Sequence, residues 1–306
     1  MTITQLEYII ALADYQNFSK AADFCCVSQP SLSMQIQKLE EELNVVIFNR
    51  KAKPICPTPQ GEEILLTARR ILVDAKSILS LSKGWSSEVA GSVSIGVIPT
   101  IAPYLVPKFL SKFQKAFPQL SIRIAETTTE NIKKELKAGK LDIGILVTPL
   151  NEDFVEIPIY YEELFLYSNS YDKEGKIENV VDPEKLWLLE EGHCLSNQVN
   201  SICNMKNRQH AESRIAYDTG SLETIVRLAE DGNGQTIIPQ MLIPYLDRAN
   251  QEKVFELPSP CPVREVSLVH TNQYTRKGII HAFRKAIVAE IPADWLTWTG
   301  RSIIPI

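Results

Sequence analysis

Phe18-Ser-Lys-Ala-Ala-Asp-Phe-Cys-Cys-Val-Ser-Gln-Pro-Ser-Leu-Ser-Met-Gln-Ile-Gln-Lys-Leu-Glu-Glu-Glu-Leu43 is the stretch that decides the architecture. Ala21 and Ala22 are small enough to let two helices cross closely. Ser28 is a natural N-cap, and Pro30 suits the first turn of the helix it opens. Leu32, Ile36, Leu39 and Leu43 then recur at helical spacing and mark a buried face. Ser28, Gln29, Pro30, Ser31, Ser33 and Gln35 populate the first turns. Those turns are what a recognition helix offers to base edges in the major groove, where a Gln can read adenine with two hydrogen bonds.

Upstream, Thr4-Gln-Leu-Glu7 fits a capping box, so the first helix is predicted to start at Thr4 and to carry Leu6, Ile9, Ile10 and Leu12 inward. Downstream, Asn44 is a stop and Val45–Phe48 reads as a short strand. Asn49-Arg-Lys-Ala-Lys-Pro54 makes a basic turn, and Ile55-Cys-Pro57 returns from it. The sum is a winged helix-turn-helix over residues 1–58. Lys20, Lys38, Arg50, Lys51 and Lys53 are its candidate phosphate contacts. Residues 1–60 carry five basic and six acidic side chains. A positive face must therefore be local, with Glu40–Glu42 turned away from DNA.

Thr58-Pro-Gln-Gly-Glu62 opens a long amphipathic helix over 59–87. Its apolar stripe needs a cover, either a second copy in a two-helix seam or its own domain. Ser86–Ser92 is a small-residue hinge. Beyond it strands and helices alternate. Val93–Val97, Leu120–Ile124, Leu141–Val147, Tyr160–Ser168, Trp187–Leu189 and Val266–His270 are the predicted strands. Pro103–Phe117, Thr129–Ala138, Ser221–Asp231 and Lys277–Glu290 are the helices. Such alternation implies an α/β fold with a mainly parallel sheet. Two α/β lobes are expected in 88–306, one of about 92–161 plus 267–306 and the other of about 162–266. Two such halves suggest a bilobed effector domain, expected to resemble a periplasmic binding protein in fold.

The whole chain has 306 residues, 44% of them hydrophobic and 23% charged, with a formal charge of −5. That composition excludes a disordered, collagenous or disulfide-dense chain, and bulk charge lends no support to nucleic-acid binding. No apolar run approaches ~18 residues, so no membrane span is expected. Met1-Thr-Ile-Thr-Gln-Leu-Glu7 lacks the pattern of a signal peptide, so the expected compartment is the cytoplasm. There, cysteines 25, 26, 56, 194, 203 and 261 default to buried thiols. Their spacing with the four histidines offers no zinc site, and neither metal nor cofactor is expected.

The quoted stretch resembles the LysR-type transcriptional regulators, which pair Ala-Ala in one helix with Ser-Gln-Pro/Ser-Leu-Ser-x-Gln-Ile-x-x-Leu-Glu in the next. Phe48–Arg50 and Thr58-Pro-x-Gly61 match the wing and its exit. In the effector half, Glu191-Gly-His-Cys-Leu-Ser-Asn-Gln-Val-Asn-Ser-Ile-Cys203 is similar to the redox loop of the peroxide-sensing OxyR subgroup. The resemblance implies that Cys194 is attacked by hydrogen peroxide and that Cys203 resolves it to a disulfide. Thr100, Thr129 and His193 would bind and orient the peroxide. It also implies promoter DNA and RNA polymerase as partners, a homodimer or homotetramer, and antioxidant genes as the output.

In one place the chain departs from the subgroup, which carries an arginine just after the late strand. Leu268-Val-His-Thr-Asn-Gln273 puts Thr271 there, leaving Arg264, Arg276 and His270 as nearby basic residues able to substitute. Two rival readings remain. A small organic effector could bind between the lobes at Thr100, Thr129 and Thr219–Ser221, because helix N-termini favour anions. A thiol peroxidase is opposed by the winged helix.

Overall fold

The computed structural model describes residues 1–83, 89–169, 181–182, 185–190, 193–202, 219–231, 234–257, 261–297 and 303–304. Cys203 lies outside the described residues, as do Trp85 and Trp298. The chain divides into two compact units, Met1–Ser87 with Lys137–Lys140, and Glu88–Leu136 with Leu141–Ile306. No described helix is long and apolar enough to cross a membrane.

The first unit contains α1 (Ile3–Tyr15), α2 (Phe18–Phe24), α3 (Gln29–Leu43), the two-stranded wing β1 (Phe48–Asn49) and β2 (Cys56–Pro57), and α4 (Pro59–Lys83). The capping box of α1 sits two residues earlier than the Thr4 expectation. Thr2 Oγ1 accepts from Gln5 N–H at 3.2 Å, and Gln5 Oε1 accepts from Thr2 N–H at 2.9 Å. The Gln5 amide also donates to Gln35 Oε1 at 3.2 Å, which ties α1 to α3. Asn17 caps α2, Ser28 caps α3, and Asn44 ends α3 in the left-handed region at φ 51°.

The expected strand over Val45–Phe48 shrinks to its last residue because its backbone is used elsewhere. Val45 N–H goes to Glu40 O at 3.0 Å, and Ile47 O receives Thr58 N–H at 2.9 Å. Ile47 N–H goes to the Glu40 carboxylate at 2.8 Å. The core joins Leu6, Ile9, Leu12, Leu32, Ile36 and Leu39 to Leu65 and Ala68 of α4, so the early turns of α4 cover their own unit. Gly61 is demanded by close approach: a Cβ there would lie 2.1 Å from Ile47 O.

The second unit is built on a mixed sheet. Its strands are β3 (Gly91–Val97), β4 (Leu120–Glu126), β5 (Ile143–Thr148), β6 (Val155–Ser168), β7 (Gln235–Pro239), β8 (Val254–Glu256) and β9 (Val263–His270). Their order is β4-β3-β5-β9-β6-β7, with β8 also on β6. Among these described strands β3–β4 and β3–β5 pair in parallel, while β5–β9, β6–β9, β6–β7 and β6–β8 are antiparallel. The expectation of a mainly parallel sheet is corrected accordingly. β6 and β9 run antiparallel to each other through the middle of the sheet. The dividing points expected near 161 and 266 fall inside these two strands.

The expected strand Trp187–Leu189 is a single bridge, Leu186 to Gln235. After Trp187 N–H bonds Gln235 O, the chain turns away, and Glu190 N–H bonds Thr219 O at 3.0 Å. The helices are α5 (Ala102–Ala116), α6 (Thr129–Lys137), α7 (Cys194–Ile202), α8 (Leu222–Asp231), α9 (Arg248–Gln251) and α10 (Lys277–Val288). α5 and α10 pack together through Phe109, Phe113 and Phe283, with Phe113 stacked on Phe283 at 4.1 Å.

Candidate functional site

The pleat of β6 and β9 carries two charges inward. Along β6 every second residue from Tyr160 to Ser168 is buried, and Glu162 falls in that series with no exposure. Directly opposite it on β9 stands Arg264, also fully buried. A directly opposed cross-strand pair brings side chains into contact. Arg264 Nε donates to Glu162 Oε1 at 2.8 Å, and its Nη2 lies 2.7 Å from the same oxygen. Glu162 Oε2 accepts from Met241 N–H at 3.0 Å, so both carboxylate oxygens are satisfied.

The remaining guanidinium donors reach the turn between β3 and α5. Nη1 donates to Thr100 Oγ1 at 3.0 Å and Nη2 to Thr100 O at 3.2 Å. Burial is the largest influence and works against the guanidinium's charge, but Glu162, Tyr160 and Cys194 together outweigh it and raise the pKa above its ordinary value. The cation is therefore permanent.

Cys194 is the first residue of α7 and is buried beside this cation. Burial pushes its thiol above the ordinary range. Arg264, Thr129 Oγ1 and the N–H groups of Leu195 and Cys194 all pull the other way, toward the thiolate. The two N–H groups are the unsatisfied donors of a helix start, which favour an anion. Thr129 opens α6, is buried, and its Oγ1 makes no hydrogen bond of ordinary length. The structure thus brings Cys194, Thr100 and Thr129 of the expected site together and adds Arg264.

His193, Arg276 and His270 make their bonds to other groups. His193 is buried, but its Nε2 pairs with Glu190 Oε1 at 3.4 Å rather than with the thiol. Arg276 holds the carbonyls of Ser92 and Ala90, and His270 Nδ1 lies 2.8 Å from Thr271 O. Of the three residues able to replace the missing arginine, only Arg264 acts on Cys194. Glu162 was missed in the sequence reading, although a charged residue on the buried face of an alternating strand is a legible signal. Cys25, Cys26, Cys56 and Cys261 are free thiols spread over both units. No group of three or more candidate metal ligands occurs among the described residues.

A cleft of about 370 Å³ opens beside the site, lined among others by Tyr104, Glu126, Glu190, His193, Ser221 and Glu223. Burial raises the Glu126 carboxyl, and burial together with Glu223 raises the Tyr104 phenol.

In the first unit, Lys20, Ser28, Gln29, Pro30, Ser31, Lys38, Lys51 and Lys53 are exposed, and Ser33 and Gln35 are partly so. Arg50 pairs with Glu40 at 2.8 Å and lies over the Phe18 ring at 5.7 Å. Glu40 faces inward as the anchor of the wing, bonding Ile47 N–H, Phe48 N–H and Arg50.

Comparison with known proteins matches two family models. Residues 3–62 match the bacterial regulatory helix-turn-helix protein, lysR family, and residues 86–292 match the LysR substrate binding domain. The chain belongs to the LysR family of transcriptional regulators. Within it the resemblance is to OxyR. The hydrogen peroxide-inducible genes activator of Haemophilus influenzae is 33% identical over 277 residues, covering 88% of this chain and 90% of that one. The DNA-binding transcriptional dual regulator OxyR of Escherichia coli K12 is 34% identical over 277 residues, covering 88% and 89%. Among solved structures, a full-length OxyR variant from Pseudomonas aeruginosa superposes with a TM-score of 0.79 at 31% identity, covering 94% of this chain and 98% of that one. This LysR-family chain is a DNA-binding regulator and not an enzyme.

Proposed function

We propose that this regulator senses hydrogen peroxide through Cys194, closes a Cys194–Cys203 disulfide, and thereby changes how its winged helices hold promoter DNA to activate antioxidant genes. The observation that carries the reading is the Cys194 sulfur at the head of α7, beside the fixed cation of Arg264 and the hydroxyls of Thr100 and Thr129. The names of the relatives, hydrogen peroxide-inducible genes activators, support it.

The thiolate attacks one peroxide oxygen. An S–O bond forms, the O–O bond breaks, and sulfur gives up two electrons. Hydroxide leaves and takes a proton to become water, so Cys194 becomes a sulfenic acid. Arg264 stabilises the thiolate before attack and the hydroxide as it departs. Thr100 Oγ1 already accepts from Arg264, which leaves its proton free to be donated to peroxide. Thr129 Oγ1, which acts on the Cys194 sulfur, supplies a second contact. The Cys203 thiol then condenses with the sulfenic acid, forming S–S and releasing water.

DNA contact falls to Ser28, Gln29, Pro30, Ser31, Ser33 and Gln35 on α3, with Lys20, Lys38, Arg50, Lys51 and Lys53 on phosphates. Cytoplasmic location, a homodimer or homotetramer, and RNA polymerase as partner belong to the same proposal. An organic anion in the cleft is disfavoured by the carboxylates of Glu126, Glu190 and Glu223 on its walls.

Non-reducing mass spectrometry after mild peroxide treatment tests the switch, with a Cys194–Cys203 linkage expected. A sulfinic acid at Cys194 with Cys203 still free overturns it.

A further inference from the structure

The C-terminal segment comes back into the second unit at the site itself. Ile303 bridges Val263 in parallel, and Ile304 N–H donates to Val263 O at 3.0 Å. Val263 immediately precedes Arg264 on β9. The Ile304 side chain is buried in the main core. Its carbonyl accepts from Gln198 Nε2 at 3.2 Å. Gln198 lies one helical turn after Cys194, in the middle of α7, and is fully buried.

This side chain is a poor choice for packing alone. Its Oε1 has no hydrogen-bond partner, and a buried amide with one end unsatisfied costs free energy that an apolar side chain would not. The polar group therefore does something other than fill space. What it does follows from the geometry of α7. Eight residue steps separate Cys194 from Ile202, so their Cα atoms stand about 12 Å apart while the helix is wound. A disulfide needs Cα atoms within about 7 Å. α7 must unwind before the Cys194 sulfur can bond to a residue beyond its far end, and unwinding that reaches the middle of the helix breaks the Gln198–Ile304 bond.

We infer that the C-terminal segment is a latch on α7, in which Gln198 and Ile304 hold the helix wound and so set the rate of disulfide closure without touching the attack on peroxide. This rests on the two-cysteine reading above. Gln198 is a positioning residue: its amide donates to Ile304 O. The latch separates the two steps. Oxidation of Cys194 depends on Arg264 and the threonines, whereas transmission of the signal depends on how firmly the tail grips α7.

The test uses the full-length protein, with two rates followed after a peroxide pulse. Quenched-flow mass spectrometry with a dimedone-type trap follows the sulfenic acid at Cys194. Non-reducing mass spectrometry follows the Cys194–Cys203 bond. Two variants remove opposite ends of the latch: Gln198→Met, and a chain ending at residue 302. Gln198→Met is expected to close the disulfide about five- to tenfold faster, the worth of one buried hydrogen bond, and the shortened chain at least as much faster because it also loses the Ile304 side chain and the bonds to Val263, while sulfenic acid formation stays within about twofold in both. Combining them is expected to add nothing further, because both break the same bond. A merely structural role for the tail would slow or speed both steps together. Closure unchanged in both variants, multiplied effects in the combination, or a parallel change in the first step overturns the latch. If the native chain forms sulfenic acid but never the disulfide, the two-cysteine reading falls and the latch with it. Native closure with unaltered variants removes the latch alone.

Discussion

Replacing Arg264 by methionine strands the Glu162 carboxylate in the interior. Both groups are fully buried, and the guanidinium satisfies Glu162 Oε1 and both oxygens of Thr100. Breaking one side of such a pair costs about 3–5 kcal/mol, because the surviving charge cannot return to water. For a unit of this size each kcal/mol lowers Tm by about 2–4 °C, so the second unit is expected to melt roughly 6–20 °C lower. Removing both charges, as Glu162→Leu with Arg264→Met, takes away the stranded ion. The pair is then expected to recover about half of that loss, remaining about 2 kcal/mol short because Met241 N–H loses its acceptor.

Thiol chemistry does not recover with stability. Without its cation, the Cys194 thiolate is scarcer by about tenfold for each unit its pKa rises, and peroxide oxidation slows in proportion. Differential scanning calorimetry and stopped-flow oxidation of the reduced protein read the two effects separately. A double variant as unstable as the single one would refute the coupling of Glu162 and Arg264. A double variant that reacts with peroxide at the native rate would refute the role of Arg264 at the sulfur.

Because burial dominates at Cys194, its thiol holds its proton past the ordinary value. The charged form is the disfavoured one, so the oxidation rate should keep climbing above pH 9 in stopped-flow traces instead of levelling off there. Gly61→Ala forces a methyl group against Ile47 O, and urea melts of the first unit should show a loss of several kcal/mol. Lys51→Ala should weaken promoter binding across all sequences and lower the salt slope by about 1, measured by fluorescence anisotropy at graded salt. An unchanged slope would remove Lys51 from the phosphate contacts.

The winged unit was open to sequence reasoning because its signals are local. Ser28, Pro30 and the Leu32–Ile36–Leu39 spacing specify α3 through capping and periodicity alone. The misplaced cap shows the limit of that kind of reasoning. Thr2 and Thr4 both head an acceptable box, and the choice fell to Gln5 reaching Gln35 on another helix. The mixed sheet was beyond it for a related reason. Alternation reports which residues face inward, but not which way a strand runs, and β6 and β9 take their directions from their partners.

Around Cys194 the sequence by itself determined the cysteine: its place in Gly-His-Cys-Leu and its distance from Cys203 are properties of the chain. It also determined that the arginine expected after the late strand is a threonine. Which cation serves in its place was decided only by tertiary structure, since Arg264, Arg276 and His270 are equal candidates along the chain and lie in different surroundings once folded. The physical reason is pairing across strands. Register sets Arg264 opposite Glu162, burial makes that ion pair obligatory, and the same guanidinium is thereby aimed at Thr100 and the sulfur.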